Sequence, residues 1–220
     1  MNEFDSTLPL DEIDLLSGRI AIYGGTFDPV QLAHLEVAKR ALASFKLDAI
    51  IFIPTNQNPL KESAPTASYQ HRLKMLLIAT ASEKNFYVSD LERSKEQEPS
   101  YTIHTVEYFR SKLKPECELF FLTGSDTLPN LSRWYLLDRL FELLDGCLVV
   151  ERDDFCLDNL SKSSLPDRIL KKIIREPTKQ ATNPISATKV RELLSTNRAK
   201  AKSFLPVEVF DYIKGQDLYI

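Results

Sequence analysis

Residues 20–34 read Ile-Ala-Ile-Tyr-Gly-Gly-Thr-Phe-Asp-Pro-Val-Gln-Leu-Ala-His, and this stretch decides the fold of the chain. The apolar run at 19–23 predicts a short strand, and Gly24-Gly25 predicts a tight turn into a helix that carries His34 in its first turn. Glycine lets a phosphate approach the backbone because it has no Cβ and because φ > 0 is allowed. The helix beginning adds unpaired N–H groups and the positive end of its dipole, and His34 adds a donor that can be charged near neutral pH. The pattern predicts a strand–turn–helix that binds phosphate.

A purely structural interpretation of the same residues stays open at this point. In it, Gly24-Gly25 is a tight turn and nothing more, and Asp28 and Pro29 are the cap and the first residue of the helix. His34 is then an ordinary surface histidine. Gly-Gly-Thr alone favours this interpretation, so the functional one depends on the rest of the chain.

The composition bounds the class of protein. The chain has 220 residues, a formal net charge of −3, 43% hydrophobic and 27% charged residues, which is ordinary for a globular protein with a sizeable core. We expect an N-terminal extension at 1–18 and a single domain at 19–220. The net charge gives no excess of basic residues that would favour nucleic-acid binding. No apolar stretch approaches the ~20 residues of a membrane span. The three cysteines lack close paired spacing, so we expect neither disulfides nor a zinc site, and a cytoplasmic location.

Strand and helix patterns alternate along the chain after the first strand. Strands are predicted at 48–53, 86–88, 118–123 and 147–150, and helices at about 32–46, 68–82, 102–113, 137–144, 188–194 and 206–214. This order predicts an α/β fold with a doubly wound parallel sheet. Such sheets bind ligands at the carboxyl ends of their strands. The loops at 24–34, 54–61 and 124–134 all follow strands, so we expect them to line one cleft.

Other phosphate-binding and catalytic patterns are absent from the sequence. The six glycines form no Gly-x-Gly-x-x-Gly fingerprint, no Gly-x-x-x-x-Gly-Lys loop and no Gly-x-Ser-x-Gly elbow. The three histidines lie far apart in the sequence, which disfavours a metal site built from several histidines.

A second pattern lies at 184–191, Pro-Ile-Ser-Ala-Thr-Lys-Val-Arg. Ser186 can cap a helix whose free N–H groups face an anion, and Thr188 and Arg191 share one face of that helix. A guanidinium there can grip phosphate oxygens. The structural alternative is a plain N-cap followed by a solvated arginine.

The stretch at 24–34 resembles the GGTFDPxHxGH signature of the nucleotidylyltransferase superfamily, most closely that of nicotinate-nucleotide adenylyltransferases. The second pattern resembles their ISSTxIR motif, with Ala187 and Val190 as departures. Gln31 and Ala33 stand where the signature has a histidine and a glycine. If this turn is helical, Gln31 and His34 share a face, and the neutral amide can point at the same phosphate. The resemblance covers roughly 19–219 and implies a Rossmann-like nucleotidylyltransferase fold.

Three further stretches resemble the mononucleotide pocket of the same family. Ser100-Tyr101-Thr102 is similar to its SYT element near the pyridine ring, and Asp126 and Trp134 have the family's eight-residue spacing. The stretch 56–61 is similar to a proline-rich loop that ends in a histidine and a basic residue, with Leu60 in place of the histidine. Each has a structural alternative: a helix cap at Ser100, a core tryptophan beside a capping aspartate, and a solvated lysine.

The resemblance implies adenylyl transfer from ATP to nicotinate mononucleotide, assisted by Mg²⁺, which gives deamido-NAD and pyrophosphate. The implied catalytic residues are His34 and Arg191. The implied ATP-binding residues are Gly24, Gly25, Thr26, Phe27, Gln31, Gly124, Ser186 and Thr188. The implied mononucleotide-binding residues are Asn56, Lys61, Thr102, Asp126 and Trp134. No protein ligand of a metal is expected, and a homo-oligomer stays open. The alternatives are a non-catalytic nucleotide-binding protein and a sibling nucleotidylyltransferase with another mononucleotide substrate.

Overall fold

A six-stranded, all-parallel sheet forms the centre of the protein in a computed structural model. The structure describes residues 13–61, 63–93, 99–151, 165–176 and 185–220. The strands are β1 (Arg19–Gly25), β2 (Ala49–Pro54), β3 (Phe86–Val88), β4 (Glu118–Gly124), β5 (Gly146–Val150) and β6 (Ile173–Arg175). The α-helices are α1 (Leu32–Phe45), α2 (Tyr69–Thr80), α3 (Thr102–Lys112), α4 (Leu137–Leu143), α5 (Asp167–Leu170), α6 (Ala187–Thr196), α7 (Arg198–Ala201) and α8 (Val207–Gly215). Three 3₁₀ helices among the described residues cover Ile13–Leu15, Ser125–Arg133 and Lys202–Phe204.

The strand order places the ligand-binding crevice. The order is β3-β2-β1-β4-β5-β6, so the chain reverses direction across the sheet between β1 and β4. In register, Arg19 to Ile22 of β1 pair with Glu118 to Phe121 of β4. Ligands of doubly wound sheets bind beyond the carboxyl ends of the strands at this reversal. The doubly wound parallel fold predicted from the sequence is confirmed.

The sheet is buried on both faces because its strands carry apolar residues at successive positions. All six residues of β2 are buried. In β1, Ala21 and Tyr23 join the core beneath α1, α2, α6 and α8. Ile20 and Ile22, which point the other way, join the core beneath α3 and α4. Two apolar cores therefore hold the helices against the sheet and fix where the strands end.

Most elements begin and end within two residues of the prediction, and most exceptions are short. No sequence pattern predicted α5, β6 or α7, which have only four, three and four residues. The expected loop at 124–134 contains the 3₁₀ helix Ser125–Arg133. In β6, Ile174 and Arg175 are exposed at the sheet edge, so the strand has no apolar alternation to detect. Elements this short give too few residues for a periodic pattern.

The expected extension at 1–18 is described only from residue 13. Ile13 is fully buried in the same core as α3. In the part of the chain that the structure describes, no helix is long and apolar enough to cross a membrane.

Candidate active site

A cleft of about 640 Å³ opens at the carboxyl ends of β1, β2 and β4, within the range typical of small-molecule sites. Its walls come from the loops that follow these strands and from the beginning of α3. Ten of the predicted site residues line it: Gly24, Gly25, Thr26, Phe27, His34, Lys61, Thr102, Gly124, Asp126 and Trp134. The other five, Gln31, Asn56, Ser186, Thr188 and Arg191, are not among its lining residues. Loops far apart in the sequence therefore meet at the strand reversal, as expected.

The turn after β1 depends on a close contact between Gly25 and Phe27. A Cβ at Gly25 would lie 2.8 Å from Cζ of the Phe27 ring, so only glycine fits there. The left-handed residue of this turn is Phe27 itself, with φ of 47°, whereas neither Gly24 nor Gly25 has a positive φ. The freedom of glycine to adopt φ > 0 is therefore not used in this turn. The role of Gly25 here is to let the Phe27 ring lie against the strand end.

His34 belongs to the cap of α1 as well as to the cleft. The main-chain N–H of Gln31, the N-cap residue, donates to Nδ1 of His34 at 3.0 Å. Because Nδ1 accepts this bond, the proton of the neutral imidazole is on Nε2. The Phe27 ring meets the imidazole edge to face, with centroids 5.2 Å apart. The histidine is thus held in one orientation and one tautomer, with Nε2 as its donor atom.

Gln31 does not share the anion-facing side of α1 with His34, which corrects the expectation. It is the N-cap, with extended φ and ψ, and its side chain is 1% exposed. With its amide oriented to satisfy its neighbours, the NH₂ group donates to the carbonyl of Ile185 at 2.9 Å, and the oxygen accepts from the N–H of Ala187 at 3.2 Å. Gln31 therefore fastens the beginning of α1 to the beginning of α6. The sequence could not indicate this, because the partners lie more than 150 residues away.

The second pattern reaches the first through Arg191. Its guanidinium donates to the main-chain carbonyl of Asp28 at 2.7 Å and to the hydroxyl of Thr188 at 3.3 Å. Ser186 is the N-cap of α6 and accepts from the N–H of Lys189 at 3.2 Å, as predicted. Pro184 lies outside the described residues. The beginnings of α1 and α6, from opposite ends of the chain, therefore lie side by side.

Asp28 does not cap α1, although the purely structural interpretation expected it to. Its buried side chain instead binds distant parts of the chain. Its side chain is 3% exposed and accepts from the N–H groups of Thr66 at 2.7 Å and Ala67 at 3.1 Å. It also accepts from the hydroxyl of Tyr219 at 2.6 Å. Three donors and the neighbouring Arg191 satisfy a carboxylate that burial would otherwise destabilise.

The loop after β2 is held by a buried polar network. The hydroxyl of Ser100 accepts from the N–H groups of Asn56 and Gln57, at 2.9 and 3.3 Å, so Ser100 does not cap α3. The Glu92 carboxylate accepts a second bond from the Asn56 N–H at 3.1 Å. Within the described part of the chain, the side-chain nitrogen of Asn56 is buried without a partner. Asn56 thus supports the loop from behind the cleft, while Lys61 contacts the Thr26 hydroxyl at 3.3 Å from inside it.

Arg72 supports the cleft from behind, although no sequence pattern indicated it. It is 1% exposed and donates to the main-chain carbonyls of Thr26, Thr55, Asn56 and Ala67. Burial lowers the pKa of its guanidinium, and the nearby Asp28 carboxylate opposes that shift. One side chain therefore joins the loop after β1 to the loop after β2. An arginine inside an ordinary helical pattern carries no sequence signal for this role.

The opposite wall of the cleft is aromatic. Trp134 packs edge to face on Phe121, with centroids 5.2 Å apart. Tyr101 and Tyr135, which were not predicted as site residues, also line the cleft, and their ring centroids lie 4.7 Å apart. Flat aromatic faces suit a planar heterocycle. The cleft thus pairs a wall of main-chain amides and basic side chains with a wall of rings.

Comparisons with known proteins agree with this arrangement. The family model described as cytidylyltransferase-like matches residues 22–193. A probable nicotinate-nucleotide adenylyltransferase of Methylacidiphilum infernorum is 36% identical over 93% of both chains. One of Moorella thermoacetica is 36% identical over 92% of both. The chain belongs to the nicotinate-nucleotide adenylyltransferase family.

Solved structures show the same fold as this family member. A Plasmodium falciparum nicotinic acid mononucleotide adenylyltransferase complexed with NaAD superimposes with a TM-score of 0.72. The alignment covers 92% of this chain and 97% of that one, at 23% identity. The same Plasmodium falciparum enzyme complexed with APC gives a TM-score of 0.71. Among the described residues of this adenylyltransferase-family chain, no group of three or more His, Cys, Asp or Glu side chains could hold a metal ion.

Proposed function

We propose that this protein transfers the adenylyl group of ATP to nicotinate mononucleotide, which gives deamido-NAD and pyrophosphate. The observation that carries the proposal is the meeting of α1 and α6, where Arg191 donates to the carbonyl of Asp28. Two helix beginnings placed together bring their positive dipole ends to one place, which suits a triphosphate. The family membership supports the choice of the two substrates.

The triphosphate would lie along the turn after β1. Gly24, Gly25 and Thr26 line the cleft there, and Lys61 reaches the Thr26 hydroxyl from the facing loop. Arg191 and Thr188 would hold the outer phosphates from the first two turns of α6 and would stabilise the departing pyrophosphate. Ser186 would act through the cap that keeps this turn in place.

The mononucleotide would lie against the aromatic wall. Trp134 would stack on the pyridine ring, and Asp126 would accept from ribose hydroxyls. Thr102 begins α3, whose N-cap, Tyr101, makes no side-chain cap bond. The N–H groups at this helix beginning would favour a nicotinate carboxylate over a neutral amide.

The chemistry needs no nucleophile from the protein, because the mononucleotide phosphate attacks the α-phosphorus of ATP directly. The protein would align the two substrates and stabilise the charge that develops on the phosphoryl oxygens. His34 would donate from Nε2 to an α-phosphate oxygen. The bond from the Gln31 N–H to Nδ1 would keep that donor aimed while the reaction proceeds.

Mg²⁺ would enter with ATP as part of the substrate. When bound, it would neutralise phosphate charge. Asp126 is the acidic side chain among the lining residues of the cleft, and its proposed partner is the ribose of the mononucleotide.

The experiment is a pyrophosphate-release assay with ATP, Mg²⁺ and a panel of mononucleotides, with the dinucleotide product identified by mass spectrometry. We expect pyrophosphate release with nicotinate mononucleotide and weaker release with nicotinamide mononucleotide. The His34→Ala variant should release no pyrophosphate with either acceptor. Release with phosphopantetheine alone, or with CTP in place of ATP, would indicate a sibling nucleotidylyltransferase. No release with any acceptor, despite ATP binding, would indicate the non-catalytic alternative.

A further inference from the structure

The C-terminal end of the chain folds back onto the phosphate-binding turn. After α8, the backbone enters the left-handed region at Asp217, with φ of 49°, and again at Tyr219, with φ of 61°. Residues with a Cβ adopt this region at a cost, so a contact elsewhere must hold the segment in place. That contact is at Tyr219, which is 8% exposed and whose hydroxyl donates to Asp28 at 2.6 Å.

The bond joins the penultimate residue to the residue that organises the phosphate turn. Tyr219 donates to Oδ1 of Asp28, and the N–H of Thr66 donates to Oδ2. Oδ2 also lies 3.7 Å from the Arg191 guanidinium, which donates to the carbonyl of the same Asp28. Burial, and then the charge of Asp28, raise the pKa of the Tyr219 hydroxyl, so it stays a donor. The Tyr219 hydroxyl is therefore one of the groups that stabilise the negative charge of Asp28 beside Arg191.

We propose that Tyr219 is a positioning residue for the ATP phosphates, which it affects through Asp28 and Arg191. The proposal rests on the proposed function for the role of Arg191. With the hydroxyl present, Oδ1 of Asp28 is satisfied by Tyr219 and Ala67. Without it, the buried carboxylate loses one of its three donors, and the guanidinium of Arg191, 3.7 Å from Oδ2, can move to replace it. A shift of Arg191 toward the Asp28 side chain draws it away from the phosphates. The mononucleotide wall, which lies across the cleft, is unaffected.

The test is Tyr219→Phe in the full chain, which removes one oxygen and keeps the buried ring. We expect the KM for ATP to rise about tenfold, the size of one hydrogen bond lost between Arg191 and a charged phosphate oxygen. The Kd of α,β-methylene ATP, measured by calorimetry, should rise by the same factor. The KM for nicotinate mononucleotide should change less than about twofold, because its wall does not touch this network.

The matched control is Tyr212→Phe. Tyr212 is a second tyrosine of the same C-terminal segment, and its hydroxyl lies 2.9 Å from Nδ1 of His71. Its loss should leave both KM values within about twofold of the wild type. Thermal unfolding of both variants shows how much of any change comes from stability alone. A further arm combines Tyr219→Phe with Arg191→Ala, where the tyrosine change should have no additional effect on ATP binding.

The proposal is overturned if Tyr219→Phe leaves ATP parameters unchanged, if it raises both KM values equally, or if its effect persists undiminished without Arg191. Failure of the proposed function is a separate result. In that case the wild type forms no deamido-NAD, and the calorimetric comparison with α,β-methylene ATP still decides the role of Tyr219.

Discussion

The main-chain N–H of Gln31 donates to Nδ1 of His34 at 3.0 Å, so a residue of the cleft is also part of a helix cap. In a capping box, the third helical residue reaches back to the N-cap N–H, and here an imidazole does what a glutamate or glutamine usually does. Each imidazole nitrogen therefore has a separate task. Nδ1 completes the helix beginning, and Nε2 is the donor for the reaction.

Two substitutions at position 34 separate these tasks. His34→Asn places an oxygen close to Nδ1 and keeps the cap, but it removes the donor at the Nε2 position. We expect it to unfold within about 0.5 kcal/mol of the wild type and to lose about 100-fold in kcat, or roughly 2.7 kcal/mol. His34→Gln reaches farther with an N–H donor and should retain more activity. Turnover and urea unfolding check both, and an Asn variant as active as the Gln variant would remove Nε2 from the proposed mechanism.

Gln31 gives the second prediction, which reverses the one that the sequence alone suggests. From the family signature, Gln31→His should restore a missing phosphate ligand and raise turnover. In the structure, the Gln31 amide makes one donated and one accepted bond to the main chain of α6. The two imidazole nitrogens diverge and cannot reproduce that pair. We expect Gln31→His to destabilise the fold by about 1–3 kcal/mol and to lower turnover.

Gln31→Ala is the companion variant, because it removes both bonds without adding a ring. It should destabilise the protein by a similar amount and raise the KM for ATP, since α6 is no longer fastened to α1. Chemical unfolding and steady-state kinetics measure both effects. Faster turnover by Gln31→His, with an intact fold, would show that the side chain faces the phosphates after all.

The sequence predicts the features that depend on residues close together in the chain. Apolar runs predicted five of the six strands, and the strand–loop junctions predicted the three loops, 24–34, 54–61 and 124–134, that contribute to the cleft. It could not predict how side chains behind the cleft are paired, because those partners are distant in the chain. From the sequence, Asp28 resembles a helix cap, but its side chain binds Tyr219, which lies 191 residues later. Gln31 resembles a phosphate ligand, but its side chain binds the main chain at the beginning of α6.

Arg72 gives the third prediction. Its guanidinium spreads over four carbonyls from two strand-end loops and the start of α2, and a lysine has a single compact ammonium group that cannot span them. We expect Arg72→Lys to destabilise the protein by about 3 kcal/mol, since buried carbonyls lose their donors. The KM values for both substrates should rise together, because both loops move. Arg198→Lys, at a half-buried site within α7, is the control and should stay within about 0.5 kcal/mol.

The fourth prediction concerns alkaline pH. Burial raises the pKa of the Cys147 thiol to about 12, whereas a thiol in the unfolded chain titrates near 8.5. Between these values the folded protein keeps a proton that the unfolded chain releases, so the free energy of unfolding falls as pH rises. The loss is at most about 1.4 kcal/mol per pH unit from this one group.

Urea unfolding at pH 7.5, 9 and 10 measures this slope. Cys147→Ala should flatten it between pH 8.5 and 10, although the variant is less stable at every pH because a buried group is deleted. Above pH 10, Tyr69 and Tyr219 should add to the slope, since burial raises the pKa of both hydroxyls above the ordinary range. Their ionisation, followed by absorbance at 295 nm, should accompany unfolding and not precede it. A Cys147→Ala slope equal to that of the wild type would mean that this thiol is ionised, and therefore reached by water, in the folded protein.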